Sequence, residues 1–433
     1  MSIEAAQLAA YEEIRANMAQ TVSKALGALT QIGTKPLGRE RDGVKRDVFP
    51  NLLACVPDFR DARTMDCVRH PYATLQIYEH RADAAYFVVG DVHGDLESLI
   101  ASADFAVRNG REGGRVPVLV VLGDLIDRGP NSAECIAFLL RLALGDDMKR
   151  KDLMLLPVRG DHDVAIRCYP DGRFAATVEP HEFVDTFANV EQYFTCEANL
   201  ARAYAKFVAL CCPAAALLSN GVLFAHGGLP DSNVTERIGL DLNLWSPACA
   251  ECYSWHRLSL EKTSISPSLF STTFQLGRED FVRFVRLLNG YVAGLNHSGK
   301  VCDMVAKYEK KSNQPLSAKI PLCARTAEGV VLELGPVSVF VRGHDHVAGG
   351  YACDEVDLGD GRFCAVHTVT SFAERDDSGK VLTPAMMVRL DGLSANVIEL
   401  TTEGVLPESW SEGKGAGLGM QSVDNAVEDE SEG

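Results

Sequence analysis

Five short apolar runs, each ending on glycine or a charged residue, give the chain its rhythm. They are Phe87-Val88-Val89, Val116 to Leu122, Leu153 to Val158, Val222 to Ala225 and Val337 to Val341. Unbroken runs of this length, rich in β-branched residues, predict strands buried on both faces. Apolar positions at helical spacing follow the first two. Leu96, Leu99, Ile100, Ala103 and Val107 predict a helix that stops at Asn109-Gly110. A second predicted helix starts after Asn131, with Glu134 placed for a capping box, and closes at Gly145. Strand, polar loop and helix in repeated order make an α/β fold the expectation.

Upstream, Leu8, Tyr11, Ile14, Met18, Val22, Leu26 and Leu29 recur every three or four positions, predicting an amphipathic helix within Met1 to Gly33. Lys35 to Asp47 carries Pro36, Gly38 and Gly43 and reads as a linker. Beyond Pro407 the chain turns to Gly, Ser and acids, ending Glu428-Asp429-Glu430-Ser431-Glu432-Gly433, as expected of a disordered, solvated tail. The resulting division is an N-terminal helical extension and linker over residues 1–80, a catalytic domain over 81–402 and an acidic tail over 403–433. The catalytic domain carries an apparent insertion at about 290–336, which contains the basic stretch Lys307-Tyr308-Glu309-Lys310-Lys311.

Composition narrows the possible settings. A chain of 433 residues, 46% hydrophobic, can bury one large core or two ordinary ones. A formal net charge of −17 disfavours nucleic acid and anionic membranes as partners. The thirteen cysteines are scattered, and no apolar stretch nears membrane-spanning length, so free, buried thiols in a cytoplasmic setting are expected. Cys249-x-x-Cys252 lacks a second pair at zinc-site spacing.

The chemistry sits where the runs end. Asp91 and His93 follow the first run two residues apart, on one side of an extended segment, able to offer an oxygen and a nitrogen to a single ion. A lone D-x-H is more readily a turn than a ligand pair. Here the later runs release Asp124 and Asp127, then Asp161 and His162, then His226, then His344 and His346. Ends of strands in open α/β sheets form the ligand crevice.

Taken together, GDVHG (Gly90 to Gly94), GDLIDRG (Gly123 to Gly129), RGDHD (Arg159 to Asp163), HGG (His226 to Gly228) and RGHDH (Arg342 to His346) resemble, in order, the signature of the calcineurin-like metallophosphatases. The phosphoprotein phosphatase branch is the nearest. Leu244-Trp245-Ser246, Ser271-Thr272-Thr273-Phe274 and Thr368-Val369-Thr370-Ser371 add to the likeness, which covers about Tyr86 to Leu400. The resemblance implies a metallophosphatase fold, a central β-sandwich of two mixed sheets flanked by helices. It also implies two divalent transition-metal ions, manganese, iron or zinc, with Asp91 and His93 on the first, Asp124 bridging, and Asp161, His226 and His344 on the second. His346 matches the second histidine that many smaller relatives use on the first ion. His162 matches the general acid, Asp127 the carboxylate that supports it, and Arg128 an arginine fork for phosphate. The implied activity is hydrolysis of phosphomonoesters by metal-bound hydroxide, chiefly phosphoserine and phosphothreonine in proteins. A dinucleoside polyphosphate or nucleotide phosphohydrolase and a catalytically weak scaffold are the alternatives.

Three positions depart from the family pattern. Asp161 stands where relatives carry asparagine, raising the ligand carboxylates from two to three against four metal charges. An arginine is missing before the STTF segment, where Ser268 is nearest, with Arg257 and Arg278 as candidate replacements. After Ser371 the family's aromatic-bearing loop is replaced by Phe372-Ala373-Glu374-Arg375.

Overall fold

The computed structural model describes residues 67–69, 75–129, 131–144, 153–164, 166–168, 174–176, 207–208, 212–230, 252–254, 256–261, 266–267, 274–312, 330–375 and 381–400. The expected N-terminal helix, the Lys35 to Asp47 linker and the acidic tail lie outside these residues.

Two large mixed sheets carry the fold. The five-stranded sheet is built on β3 (Ala84–Val89), β4 (Val116–Val121) and β5 (Met154–Pro157), which run parallel. Antiparallel strands β11 (Met386–Asp391) and β12 (Ser394–Glu399) extend it beyond β3. The seven-stranded sheet comprises β1 (Cys67–Arg69), β2 (Leu75–Tyr78), β6 (Ala215–Leu218), β7 (Val222–Ala225), β8 (Val339–Arg342), β9 (Tyr351–Asp357) and β10 (Phe363–Val369). Its spatial order is β1-β2-β6-β7-β8-β10-β9, with β7, β8 and β10 parallel.

The sheets face each other across an apolar layer. Tyr86, Val88, Val118 and Val120 of the first sheet pack with Leu218, Val222, Phe224, Val339 and Val341 of the second. Helices α1 (Leu96–Glu112) and α2 (Ser132–Leu144) cover the outer face of the five-stranded sheet, burying Leu99, Val107, Ile136 and Leu139 against Phe87 and Leu119. After the one-turn helix α3 (Asp161–Val164), the long helix α4 (Arg278–Ser312) covers the other sheet with Phe281, Phe284, Leu288 and Val292 against Leu223 and Phe340. Strands buried on both faces are why the runs read as solid apolar blocks rather than alternating ones.

Several sequence boundaries move. Residues before 81 take part in the seven-stranded sheet, where β2 pairs with β6 and buries Leu75 and Ile77. Helix α1 does not stop at Asn109-Gly110 but runs to Glu112. Gly110 is there for contact: a Cβ on it would press on the Pro117 ring. The expected insertion at about 290 begins inside α4, which passes through Gly290 without a break. Not every cysteine is buried either, since Cys135, Cys212 and Cys364 are interior and Cys353 is exposed. Among the described residues no helix is long and apolar enough to cross a membrane.

Candidate metal centre

Parallel strands β3, β4 and β5 deliver their loops to one edge of the sandwich, and β7 and β8 deliver theirs opposite. The first junction depends on Gly90. A Cβ there would collide with the carbonyl oxygen of Val369, so only glycine lets β3 leave its sheet this close to β10. Asp91 then bridges to Thr370, while Ser371 Oγ accepts a hydrogen bond from the Gly90 amide at 2.8 Å. At the end of β4, Gly123 takes φ 104°, and a Cβ on it would strike the Gly160 amide that starts the next loop.

The loops bring together all seven expected ligand residues in two adjacent groups, linked by a third made of His93, Asp124 and His162. Asp91, His93 and His346 form one, and Asp124, Asp161, His226 and His344 the other. Asp124 lies between them, its Oδ2 3.6 Å from His93 Nε2 and 3.3 Å from His226 Nε2. In the first group, Asp91 Oδ2 stands 3.9 Å from His93 Nε2 and 3.5 Å from His346 Nε2. In the second, Asp161 Oδ1 stands 2.8 Å from His226 Nε2 and 3.3 Å from His344 Nδ1. The ring orientations are fixed from behind: His93 Nδ1 donates to the Ile126 carbonyl at 3.1 Å and His226 Nδ1 to the Leu122 carbonyl at 2.9 Å. Both Nε2 atoms therefore turn inward.

The backbone itself marks the site. Among the described residues, the non-glycine positions with positive φ are His93, Asp124, Asp127, Arg128 and His344. Such conformations cost about 1–3 kcal/mol each and persist where surrounding structure holds them. Every one belongs to the predicted set.

His162 sits against both groups without joining the second. Its Nδ1 pairs with Asp127 Oδ2 at 2.6 Å, its Nε2 lies 3.8 Å from Asp124 Oδ2, and it is buried. Asp127 is held by its own amide, which donates to Ser132 Oγ at 2.9 Å. Arg128 reaches across at the exposed rim, NH1 2.8 Å from His346 Nε2. Of the two candidate replacement arginines, Arg257 reaches the rim, 3.4 Å from Asp345, whereas Arg278 donates to the Leu260 carbonyl. His256 and His367 stand apart from both groups, tied to Leu229 O and Tyr351 OH.

The calcineurin-like phosphoesterase pattern matches residues 86–348, more than half of the chain and spanning every loop just described. The chain belongs to the calcineurin-like phosphoesterase family. The asymmetrical bis(5'-nucleosyl)-tetraphosphatase PrpE of Bacillus subtilis (strain 168) is 43% identical over 60 residues, 12% of this chain and 24% of that protein. The matched stretch thus spans about a quarter of that relative. Among solved structures, a protein serine/threonine phosphatase from Saccharomyces cerevisiae with similarity to human phosphatase PP5 aligns over 81% of this chain and 87% of its own, at 14% identity and TM-score 0.41. A protein assigned as a diadenosine tetraphosphatase aligns over 76% of this chain and 98% of its own, at 14% identity and TM-score 0.34.

Calcineurin-like phosphoesterases use divalent metals, and the electrostatics of this centre fit that group. Three carboxylates, Asp91, Asp124 and Asp161, are buried around His226, each with an oxygen within 3.7 Å of one of its ring nitrogens. Burial, and then Asp161, pushes Asp124 up to about 6. Burial opposes ionisation of Asp161 as well, but His344, His162 and the His226 hydrogen bond overrule it and hold it well below the usual range. His226 shows the reverse balance: burial lowers it, yet Asp124 and Asp91 outweigh burial and hold it well above ordinary histidine. Such a centre demands positive charge. His93 Nε2 adds a direct sign, being a buried ring nitrogen without a hydrogen-bond partner that faces two carboxylates.

Several supporting residues escaped the motif reading. Asp163 accepts the amides of Asp124 at 2.8 Å, Leu125 at 3.1 Å and Gly160 at 2.8 Å, tying two ligand loops together. Arg342, 2% exposed, donates to the Gly227 carbonyl at 2.8 Å and to Asp345 at 2.6 Å, joining the loop of His226 to that of His344. Asp163 and Arg342 lay inside quoted motifs, but their partners are backbone groups that a sequence does not reveal.

Proposed function

We propose that this chain is a two-metal phosphatase acting on phosphomonoesters of alcohols, with phosphoserine and phosphothreonine in proteins as its substrate class. Asp91, His93 and His346 would hold one ion, Asp161, His226 and His344 the other, and Asp124 both. Divalent ions there supply neutralisation of the phosphate charge and acidification of water. The remaining work falls to the chain. Arg128 presents a planar fork at the rim, suited to two phosphate oxygens. His162 holds a proton beside the centre: burial lowers its pKa, but Asp124, Asp161 and Asp127 prevail and bring it to about 9.

The observation that carries the choice of substrate is the 2.6 Å contact between buried His162 and Asp127. A serine or threonine alkoxide is a poor leaving group and needs a proton as the P–O bond breaks, so a carboxylate-supported imidazole contributes roughly 10²–10⁴-fold. A nucleotide phosphate leaves as a stabilised anion and gains far less. The stretch of identity with the Bacillus tetraphosphatase favours that second reading, hydrolysis of dinucleoside polyphosphates.

Side-by-side turnover of the manganese-loaded chain on phosphoserine peptides and diadenosine tetraphosphate separates the two. Higher kcat/KM on the peptides is expected. Preference for the dinucleotide would transfer the assignment to the second reading.

A further inference from the structure

We propose that Glu374 is a positioning residue for the first metal site, holding His346 in the tautomer and orientation that present Nε2 to the Asp91 and His93 group. The inference rests on the two-ion reading above. It gives a role to the segment after Ser371, where the chain leaves the family pattern.

His346 differs from its companions. His93 and His226 are buried and hydrogen-bonded through Nδ1 to backbone carbonyls. The His346 side chain is 28% exposed, and a carboxylate faces its Nδ1: Glu374 Oε1 lies 3.5 Å away. The other carboxylate oxygen of Glu374 accepts a hydrogen bond from Thr383 Oγ1 at 3.0 Å, and Glu374 pairs with Thr383 in a two-stranded ribbon. One oxygen is thus restrained while the other faces the imidazole.

The ring of His346 lies between two carboxylates, Asp91 at Nε2 and Glu374 at Nδ1. A carboxylate at Nδ1 favours a proton there, leaving the lone pair on Nε2. The Arg128 guanidinium, which can only donate, lies nearer Nε2 at 2.8 Å than Nδ1 at 3.3 Å. Asp91 Oδ2 faces Nε2 at 3.5 Å, as Glu374 faces Nδ1, so an ion placed between Asp91 and Nε2 would leave the ring proton to the Glu374 side. Phe372 completes the support, its ring edge-on to both His346 at 4.9 Å and His93 at 5.1 Å. The segment is anchored in turn. The Ala373 amide donates to Asp95 Oδ2 at 2.9 Å, and Asp95 also accepts from the Ser98 amide at 3.1 Å at the start of α1. Carboxylate, imidazole and ion in line is a common way to fix a ligand ring, and loss of the outer carboxylate typically lowers metal affinity about 10–100-fold.

The test is chelator-competition titration of manganese into the full chain for wild type, Glu374→Ala, Glu374→Gln, His346→Ala and the Glu374→Ala/His346→Ala double variant. Glu374→Ala should weaken one of the two ions by about 10–100-fold and leave the other unchanged. Glu374→Gln keeps an acceptor oxygen and should retain most of the affinity. In the His346→Ala background, Glu374→Ala should have no further effect, a coupling that a merely structural residue would not show. Unchanged affinity in Glu374→Ala, or an undiminished effect in the His346→Ala background, overturns the inference while leaving the two-ion reading standing. A wild-type chain that binds no manganese removes the two-ion reading itself.

Discussion

The two halves of the candidate metal centre are built from different material. The Asp161, His226 and His344 half is interior, its carboxylate within 3.3 Å of both imidazoles. The Asp91, His93 and His346 half has wider spacings, 3.9 and 3.5 Å, and opens to solvent at His346. One half is compact and carries an extra negative charge where the family pattern has a neutral amide. The other has a single carboxylate of its own and depends on a rim residue for its second imidazole. The difference implies unequal affinity: the interior half should hold its ion more tightly, and the rim half should exchange its ion more readily. Burial strengthens charge–ligand attraction in the first and water competes in the second.

The change with the largest expected effect removes what the halves share. Asp124→Ala should reduce metal-dependent turnover to background and weaken both ions together, read by elemental analysis and activity on the same sample. Loss of one ion alone would show that Asp124 belongs to a single half.

Next comes His162, which touches both halves through Asp124. His162→Ala should lower kcat on a phosphoserine peptide by about 10²–10⁴-fold and on an activated aryl phosphate by much less, with metal content unchanged. Equal losses on both substrates would make His162 a structural group rather than a proton donor.

A subtler change bears on the asymmetry itself. Asp161→Asn should make the halves more alike, weakening the tighter ion by about tenfold, or roughly 1.4 kcal/mol. With one fewer carboxylate on the ion, water in the centre becomes a stronger acid. Turnover at saturating manganese should rise, and the alkaline-rising limb of the pH profile should move to lower pH. If affinity and profile stay put, Asp161 is not a ligand.

The smallest effect concerns the metal-stripped chain. Asp124 has a folded-state pKa of about 6 against 3.8 for the ordinary group, so the folded form binds more protons between those values. For an acid raised in this way, its contribution to stability is greatest below pH 3.8 and declines as pH rises through about 6. Stripped Asp124→Asn protein should show a flatter dependence of Tm on pH across that window, and manganese should flatten it in the wild type. An unchanged slope in Asp124→Asn would assign the dependence to another group.

The ligand loops were legible because each is written as a contiguous word at the end of an apolar run. Asp91 and His93, or His344 and His346, need only an extended backbone to share a side. The sandwich came from the family likeness more than from the runs, which could not say which strands share a sheet. What stayed hidden depends on partners far along the chain. Arg342 meets Gly227 across 115 positions, and Ala373 meets Asp95 across 278. Asn109-Gly110 misled for a physical reason: the pair usually ends a helix, but here the missing side chain makes room for Pro117. Gly290 likewise lies inside α4, where a glycine is tolerated because the flanking face, Leu288 and Val292, is locked into the core.

The most direct test of the central claim is metal stoichiometry on the active full chain: strip the protein with chelator, reload it with manganese, remove free ion, and measure manganese per chain alongside phosphatase turnover. The account predicts two manganese ions per chain, one lost before the other as chelator is raised, with turnover falling as the first ion leaves. Full turnover in protein holding less than one metal ion per chain would contradict it.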